Sequence, residues 1–220
     1  MQYFNLHTHQ FTNDAEILEL VNQYPQEFDQ TMPHYSIGIH PLFIDENRLL
    51  SDFEILQQKA GLPECLAIGE CGLDKRSETA FEIQLEVLER QLLLAEKFQK
   101  PVVIHCVHAF QELEEMKKRL KLTTPVIIHG FSKKEQLAKE LLNNGFYLSF
   151  GRYLLINPEL ESVFNSVPEN RFFLETDTSD YTIEEVYALA AKYKKITVEE
   201  LQQIISNNFD AVFTNKQITK

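Results

Sequence analysis

Seven histidines are spread over 220 residues, and most of them stand where a short apolar run ends. His7 and His9 close Tyr3-Phe4-Asn5-Leu6, and His40 closes Tyr35-Ser36-Ile37-Gly38-Ile39. His105 closes Val102-Val103-Ile104, and His129 closes Val126-Ile127-Ile128. Two carboxylates hold equivalent places: Glu70 after Leu66-Ala67-Ile68-Gly69, and Asp177 after Phe172-Phe173-Leu174. Short runs of this kind are buried strands, apolar in succession because both faces are covered, as in a parallel sheet. A chain built so must bring many strand ends to one place.

Seven strands are expected, at Tyr3–His9, His34–His40, Cys65–Glu70, Val102–Cys106, Val126–His129, Phe146–Phe150 and Phe172–Asp177. Glu16–Asn22 is a weaker eighth, carried by Ile17, Leu18, Leu20 and Val21. Helical signals separate most of them. Phe81, Leu85, Leu88 and Leu92 recur at helical spacing before Pro101. Ser132-Lys133-Lys134-Glu135, Thr182-Ile183-Glu184-Glu185 and Thr197-Val198-Glu199-Glu200 read as capping boxes that open three later helices. Alternating strands and helices imply a parallel sheet. An open sheet collects ligands at its switch point from two or three strands, whereas ligand-bearing ends on at least five need a ring. The expected fold is therefore a (β/α)8 TIM barrel, one domain over residues 1–220, with no linker or repeat.

The chemistry follows from residue type and place. His7 and His9 lie two apart on a strand, so both imidazoles face the barrel mouth and can reach one ion. Glu70 ends an apolar strand, where an unpaired carboxylate would be costly, and its two oxygens can bridge two cations. His105 and His129, in matching positions on adjacent strands, look like nitrogen ligands of a second ion. Asp177 is placed to ligate a metal and to accept the proton of a bound water. His40 is read either as a substrate contact or as a strand cap, His108 as a substrate contact, and His34 as a surface residue. Arg152 directly follows a strand end and is a candidate phosphate contact. Lys75, Arg76, Lys133 and Lys134 read as solvated surface charge. Asp74 reads as capping or orienting its loop.

A net charge of −12 argues against a broad nucleic-acid-binding surface, since such surfaces neutralise phosphates with Lys and Arg. It leaves room for local engagement of a strand end. No apolar stretch reaches the roughly 20 residues that span a bilayer, and the first residues lack a basic leader. Three cysteines, Cys65, Cys71 and Cys106, without zinc-ribbon spacing, read as buried reduced thiols of a cytoplasmic protein.

In order along the chain, Asn5-Leu6-His7-Thr8-His9, Gly38-Ile39-His40-Pro41, Ile68-Gly69-Glu70-Cys71-Gly72-Leu73-Asp74, Pro101-Val102-Val103-Ile104-His105, Ile128-His129-Gly130-Phe131-Ser132, Gly145-Phe146-Tyr147-Leu148-Ser149-Phe150 and Leu174-Glu175-Thr176-Asp177 resemble the motifs of the TatD family of metal-dependent hydrolases. Ile205-Ser206-Asn207-Asn208-Phe209 is similar to that family's closing helix. The resemblance implies an amidohydrolase-like barrel with two divalent ions, of which Zn, Mn, Mg and Fe all remain open. His7, His9 and Asp177 would hold one ion, Glu70 would bridge, and His105 and His129 would hold the other. It further implies phosphodiester hydrolysis of the DNase type by a metal-activated water.

The chain departs from the family in being shorter. It lacks the first helix after Phe11, the usual loop after Asp177, and a polar continuation after His105, where Cys106-Val107-His108 stands. A somewhat trimmed barrel is expected, and loops set specificity on this fold. The expected partner is a single-stranded DNA end or a small phosphorylated substrate, with no membrane and no obligate protein partner. The alternatives are a metallohydrolase of a small phosphomonoester, amide or lactone, and a non-catalytic metal-binding barrel.

Overall fold

Every apolar run becomes a strand in the computed structural model, which describes residues 2–214. The strands are β1 (Tyr3–Thr8), β2 (Ile17–Gln23), β3 (Tyr35–Ile37), β4 (Cys65–Asp74), β5 (Val102–Val107), β6 (Val126–Ile128), β7 (Tyr147–Phe150) and β8 (Phe172–Leu174). Each pairs in parallel with the next, giving one eight-stranded sheet in chain order. The weak eighth candidate is β2. Strands are shorter than expected at His129 and Asp177, which stand beyond β6 and β8, and longer at Glu70, which lies inside β4.

The ring closes at its rim. Thr8 bridges Asp177, the Asp177 amide donates to the His7 carbonyl at 2.8 Å, and the His9 amide donates to the Asp177 carbonyl at 3.3 Å. Lower down, side chains stitch the β1–β8 seam. Asn5 donates to Thr176 Oγ1 at 2.8 Å and accepts from the Thr176 amide at 3.1 Å. The Tyr187 hydroxyl accepts from the Phe4 amide and donates to the Phe4 carbonyl, at 3.2 and 3.0 Å. Buried backbone groups need partners, and here a phenol takes the place of a neighbouring strand.

Helices follow β3 and every later strand: α1 (Leu49–Ala60), α2 (Phe81–Phe98), α3 (Phe110–Leu120), α4 (Glu135–Asn143), α5 (Arg152–Ile156), α6 (Leu160–Ser166), α7 (Ile183–Lys194) and α8 (Val198–Phe213). Among the described residues no α-helix follows β1, as expected, and only a single turn at Pro25–Glu27 follows β2. The last helix covers part of the exposed wall: Phe209 and Phe213 of α8 meet the Phe4 ring edge-on at 4.9 and 5.5 Å. Asn208 donates to the Glu169 and Phe172 carbonyls at 2.8 and 2.9 Å, fixing the start of β8.

Two sequence expectations about helices need correction. The capping boxes at Thr182 and Thr197 form, but the one at Ser132 does not. The Phe131 amide is held by the Ser149 carbonyl at 2.8 Å, so the chain stays beside β7 and α4 starts only at Glu135, with Lys134 before it. On α2 the buried face is Gln84, Val87, Leu88, Gln91, Leu92, Leu94 and Ala95, while Phe81 and Leu85 are half-buried at its margin. Among the described residues no helix is long and apolar enough to cross a membrane. All three cysteines are free and buried.

Candidate metal centre

Two strands carry one extra residue where they meet the site. Between Asn5 and Thr8, β1 advances three residues against two on β2, and between Ile68 and Cys71, β4 does the same against β5. Such bulges re-aim side chains at barrel rims. Around Glu70 the distortion depends on glycine. Gly69 and Gly72 have φ of +143° and +151°, and a Cβ on Gly72 would lie 1.8 Å from the His105 carbonyl oxygen. No other residue fits so close to β5.

The result is a cluster centred on Glu70. Oε2 of Glu70 lies 3.5 Å from His7 Nε2 and 3.7 Å from His9 Nε2, and Oδ1 of Asp177 lies 3.6 and 3.5 Å from the same two nitrogens. The other oxygen, Oε1, meets His129 Nε2 at 2.8 Å, His105 Nδ1 at 3.1 Å and His40 Nε2 at 3.2 Å. Three overlapping groups have donor atoms within 4.8 Å of one another: His7, His9 and Asp177; His7, Glu70 and His129; and His40, Glu70 and His105. His105 and His129 thus share Glu70 but fall in different groups.

Carboxylates on the far sides of the rings hold two of these histidines in place. His129 Nδ1 lies 3.3 Å from Glu175 Oε1, and His105 Nε2 lies 3.0 Å from Asp74 Oδ2. Each outer nitrogen therefore has a carboxylate partner of its own, and each inner nitrogen meets Glu70 Oε1. Glu70 Oε1 is thus a shared focus for nitrogens from two neighbouring strands. His40 is held by backbone instead. Its Nδ1 accepts from the Leu42 amide at 3.1 Å, which puts its proton on Nε2, directed at Glu70. This carboxylate–histidine arrangement orients metal ligands in many proteins.

The electrostatics agree. Burial and His129 work to lower the His7 pKa, but Asp177 and Glu70 outweigh them and raise it to about 9. Burial also opposes a charged His129, yet Glu70 and Glu175 on either side hold its pKa well above the ordinary range. Glu70 is buried, which favours its acid form, and the surrounding histidines nonetheless hold it well below the usual carboxylate range. Asp177 is lowered too, with His7 overcoming burial. Burial and then His7 lower His9. The cluster is built around positive charge.

A divalent ion fits the donors. Both ring nitrogens of His7 are buried without a hydrogen-bond partner. Metal bonds of roughly 2.0–2.2 Å put donors around one ion about 3–3.5 Å apart. Asp177 Oδ1 lies 3.6 and 3.5 Å from His7 Nε2 and His9 Nε2, too long for hydrogen bonds of ordinary strength. Nitrogen and carboxylate donors together suit Zn²⁺, Mn²⁺ or Fe²⁺, with Mg²⁺ held more loosely.

The remaining candidates separate. His40 is buried in the cluster, and His108 lines the cavity above it, exposed and with φ of +57°. Arg152 lies outside that cavity, in a neighbouring depression with Thr178, Ser179, Asp180, Tyr181 and Glu185. Arg76 and Lys133, read as solvated charge, instead line the cavity, which encloses about 530 Å³. Arg76 also holds Asp74 through Nε and Nη2 at 3.0 and 2.8 Å. His34 is half-buried beneath the opposite end of the barrel. Sequence reasoning passed over Glu175, although its alternation with Asp177 was visible, and over Tyr24 and Phe43, loop aromatics that carry no local signal.

Similarity to known proteins covers almost the whole chain. Residues 2–214 match the family described as TatD related DNase. The metal-dependent hydrolase YjjV of Escherichia coli K12 is 26% identical over 219 residues, covering 91% of this chain and 82% of that protein. The 3'-5' ssDNA/RNA exonuclease TatD of Citrobacter rodentium is 30% identical over 163 residues, covering 71% of this chain and 62% of that protein. The crystal structure of Escherichia coli YjjV superposes with a TM-score of 0.82 at 22% identity, covering 97% of this chain and 98% of that one.

Proposed function

The chain belongs to the TatD-related DNase family of metal-dependent hydrolases, and we propose that it hydrolyses phosphodiesters at the end of a single nucleic-acid strand with two divalent ions. The observation that carries this reading is the convergence of His7 and His9 on one Glu70 oxygen and of His105 and His129 on the other, at 2.8–3.7 Å. His7, His9 and Asp177 would hold one ion, His105 and His129 the other, with Glu70 between them. Bound there, the ions supply Lewis acidity and a water acidic enough to act as nucleophile near neutral pH.

The chain's own residues do the rest. Asp74 and Glu175 hold the outer nitrogens of His105 and His129 and so orient both rings. His40 donates to Glu70 and so holds that carboxylate in orientation. Asp177 is the more exposed of the two carboxylates at the centre, with 28% of its side chain accessible, and it stands at the mouth. It takes the proton from the attacking water. The name of the Citrobacter relative supports a nucleic-acid substrate. The net charge of −12 and the absent helices after β1 and β2 favour a second reading, a small phosphomonoester, amide or lactone.

One comparison separates the two: turnover of an end-labelled single strand against a small-substrate panel, with Mg²⁺, Mn²⁺ or Zn²⁺ added. Cleavage of the strand from its end with two metal equivalents bound is expected. Turnover confined to the small substrates would replace the first reading with the second. Asp177→Asn should keep its fold and lose about 10²–10⁴ in kcat, the range of general-base catalysis. Unchanged turnover would take the proton away from Asp177.

A further inference from the structure

The cavity over the metal centre has two unlike walls, and the barrel places them across from each other. Tyr24 follows β2 and Phe43 follows β3, whereas Lys133 follows β6, four strands on from β2 in a ring of eight. On the first wall Tyr24 and Phe43 meet edge-to-face, with ring centroids 5.2 Å apart, and Phe43 is 45% exposed. Its neighbour Leu42 is 48% exposed at the same mouth. Large apolar groups in water at the lip of a polar site offer a π-face to whatever enters.

The opposite wall carries a cation without a counter-charge. Lys75 is paired with Glu112, and Arg76 with Asp74. Lys133 is half-buried, lines the cavity, and makes no ion pair or side-chain hydrogen bond among the described residues. A half-buried ammonium in a chain this acidic is spared the usual carboxylate partner. Its place four strands around the ring from β2 sets it across the cavity from the aromatic pair.

Building on the phosphodiesterase reading, we infer that Tyr24, Phe43 and Lys133 are specificity-determining residues that select a nucleotide bearing a second phosphate. The base of the terminal nucleotide stacks on Phe43, supported edge-on by Tyr24. The scissile phosphate lies over the centre, and Lys133 binds a different, non-scissile phosphate of the same strand. Stacking on an aromatic ring tolerates any base, and a lysine reads phosphate as a point charge, so selection falls on chain form and not on sequence.

Calorimetric titration of the metal-loaded protein with thymidine 3',5'-bisphosphate, thymidine 5'-monophosphate and glycerol phosphate tests this. Wild type should bind the three in descending order of affinity. Lys133→Gln should erase most of the preference for bisphosphate over monophosphate, by about tenfold. Phe43→Ala should erase the preference for either nucleotide over glycerol phosphate by a similar factor, consistent with ~1–3 kcal/mol per stacked base. Both side chains are accessible, and unchanged melting temperatures confirm intact variants. Equal affinities for the three probes in wild type, or uniform losses in the variants, overturn the inference. Failure of diester turnover with the binding order preserved instead strikes the phosphodiesterase reading alone.

Discussion

Two carboxylates that touch no inward-facing atom of the cluster decide what its histidines can do. Asp74 and Glu175 each occupy the outer nitrogen of one ring, and each is itself held: Asp74 by Arg76, Glu175 by the Gly130 amide at 2.8 Å. Replacing Asp74 with Asn leaves size and shape nearly intact but removes the carboxylate that orients the His105 ring. Partners of this kind are worth about 10–100-fold in metal affinity. Asp74→Asn should therefore weaken metal binding within that range, read by competition with a fluorescent chelator. An unchanged affinity would mean that His105 is oriented by packing alone. The histidines themselves were legible because each ends a hydrophobic run. Their orienting partners were much less so. Glu175 sits within one strand exit where several carboxylates compete, and Asp74 lies four residues beyond a stronger candidate.

At the scale of elements, strands were easier to see than the faces of helices. A run such as Val102-Val103-Ile104 has no other plausible place than the wall of a sheet covered on both sides. The expected stripe of α2 missed because two of its inward residues are polar. Gln84 accepts from the Asp74 amide at 2.9 Å and donates to the Asp74 carbonyl at 3.1 Å. Gln91 accepts from the Ile39 amide at 2.7 Å and donates to the Ile39 carbonyl at 3.1 Å. Seven residues separate them, two helical turns, so one face grips the backbone beside both Asp74 and His40. Hydrophobic periodicity is blind to a buried glutamine whose amide serves strand ends that have run out of neighbours. Gln91→Leu should strand an N–H and a C=O in the core. At ~1–3 kcal/mol for each unpaired buried group, it should cost about 2–6 kcal/mol in urea unfolding. A change below 1 kcal/mol would show that these backbone groups find other partners.

For the whole molecule, the metal centre and the closure of the barrel are the same place. The hydrogen bonds that join the first strand to the segment after the last run from His7 and His9 to Asp177, and those three side chains form one donor group. An ion held by that group would tie residues 7–9 to residue 177 through side chains where the backbone already ties them. Ligand that binds only the folded chain stabilises it by RT ln(1 + [L]/Kd), about 2.7 kcal/mol at a hundredfold excess over Kd. With roughly 2–4 °C per kcal/mol for a chain of this size, chelation should lower the melting temperature by about 5–11 °C. His9→Ala should melt close to the chelated wild type and respond little to added metal, because the donor group that staples the seam is broken. If chelator left the wild-type melting temperature unmoved while removing the metal, the ion would be held by an already rigid rim. The seam would then owe its strength to Tyr187, Asn5 and the aromatic face of α8.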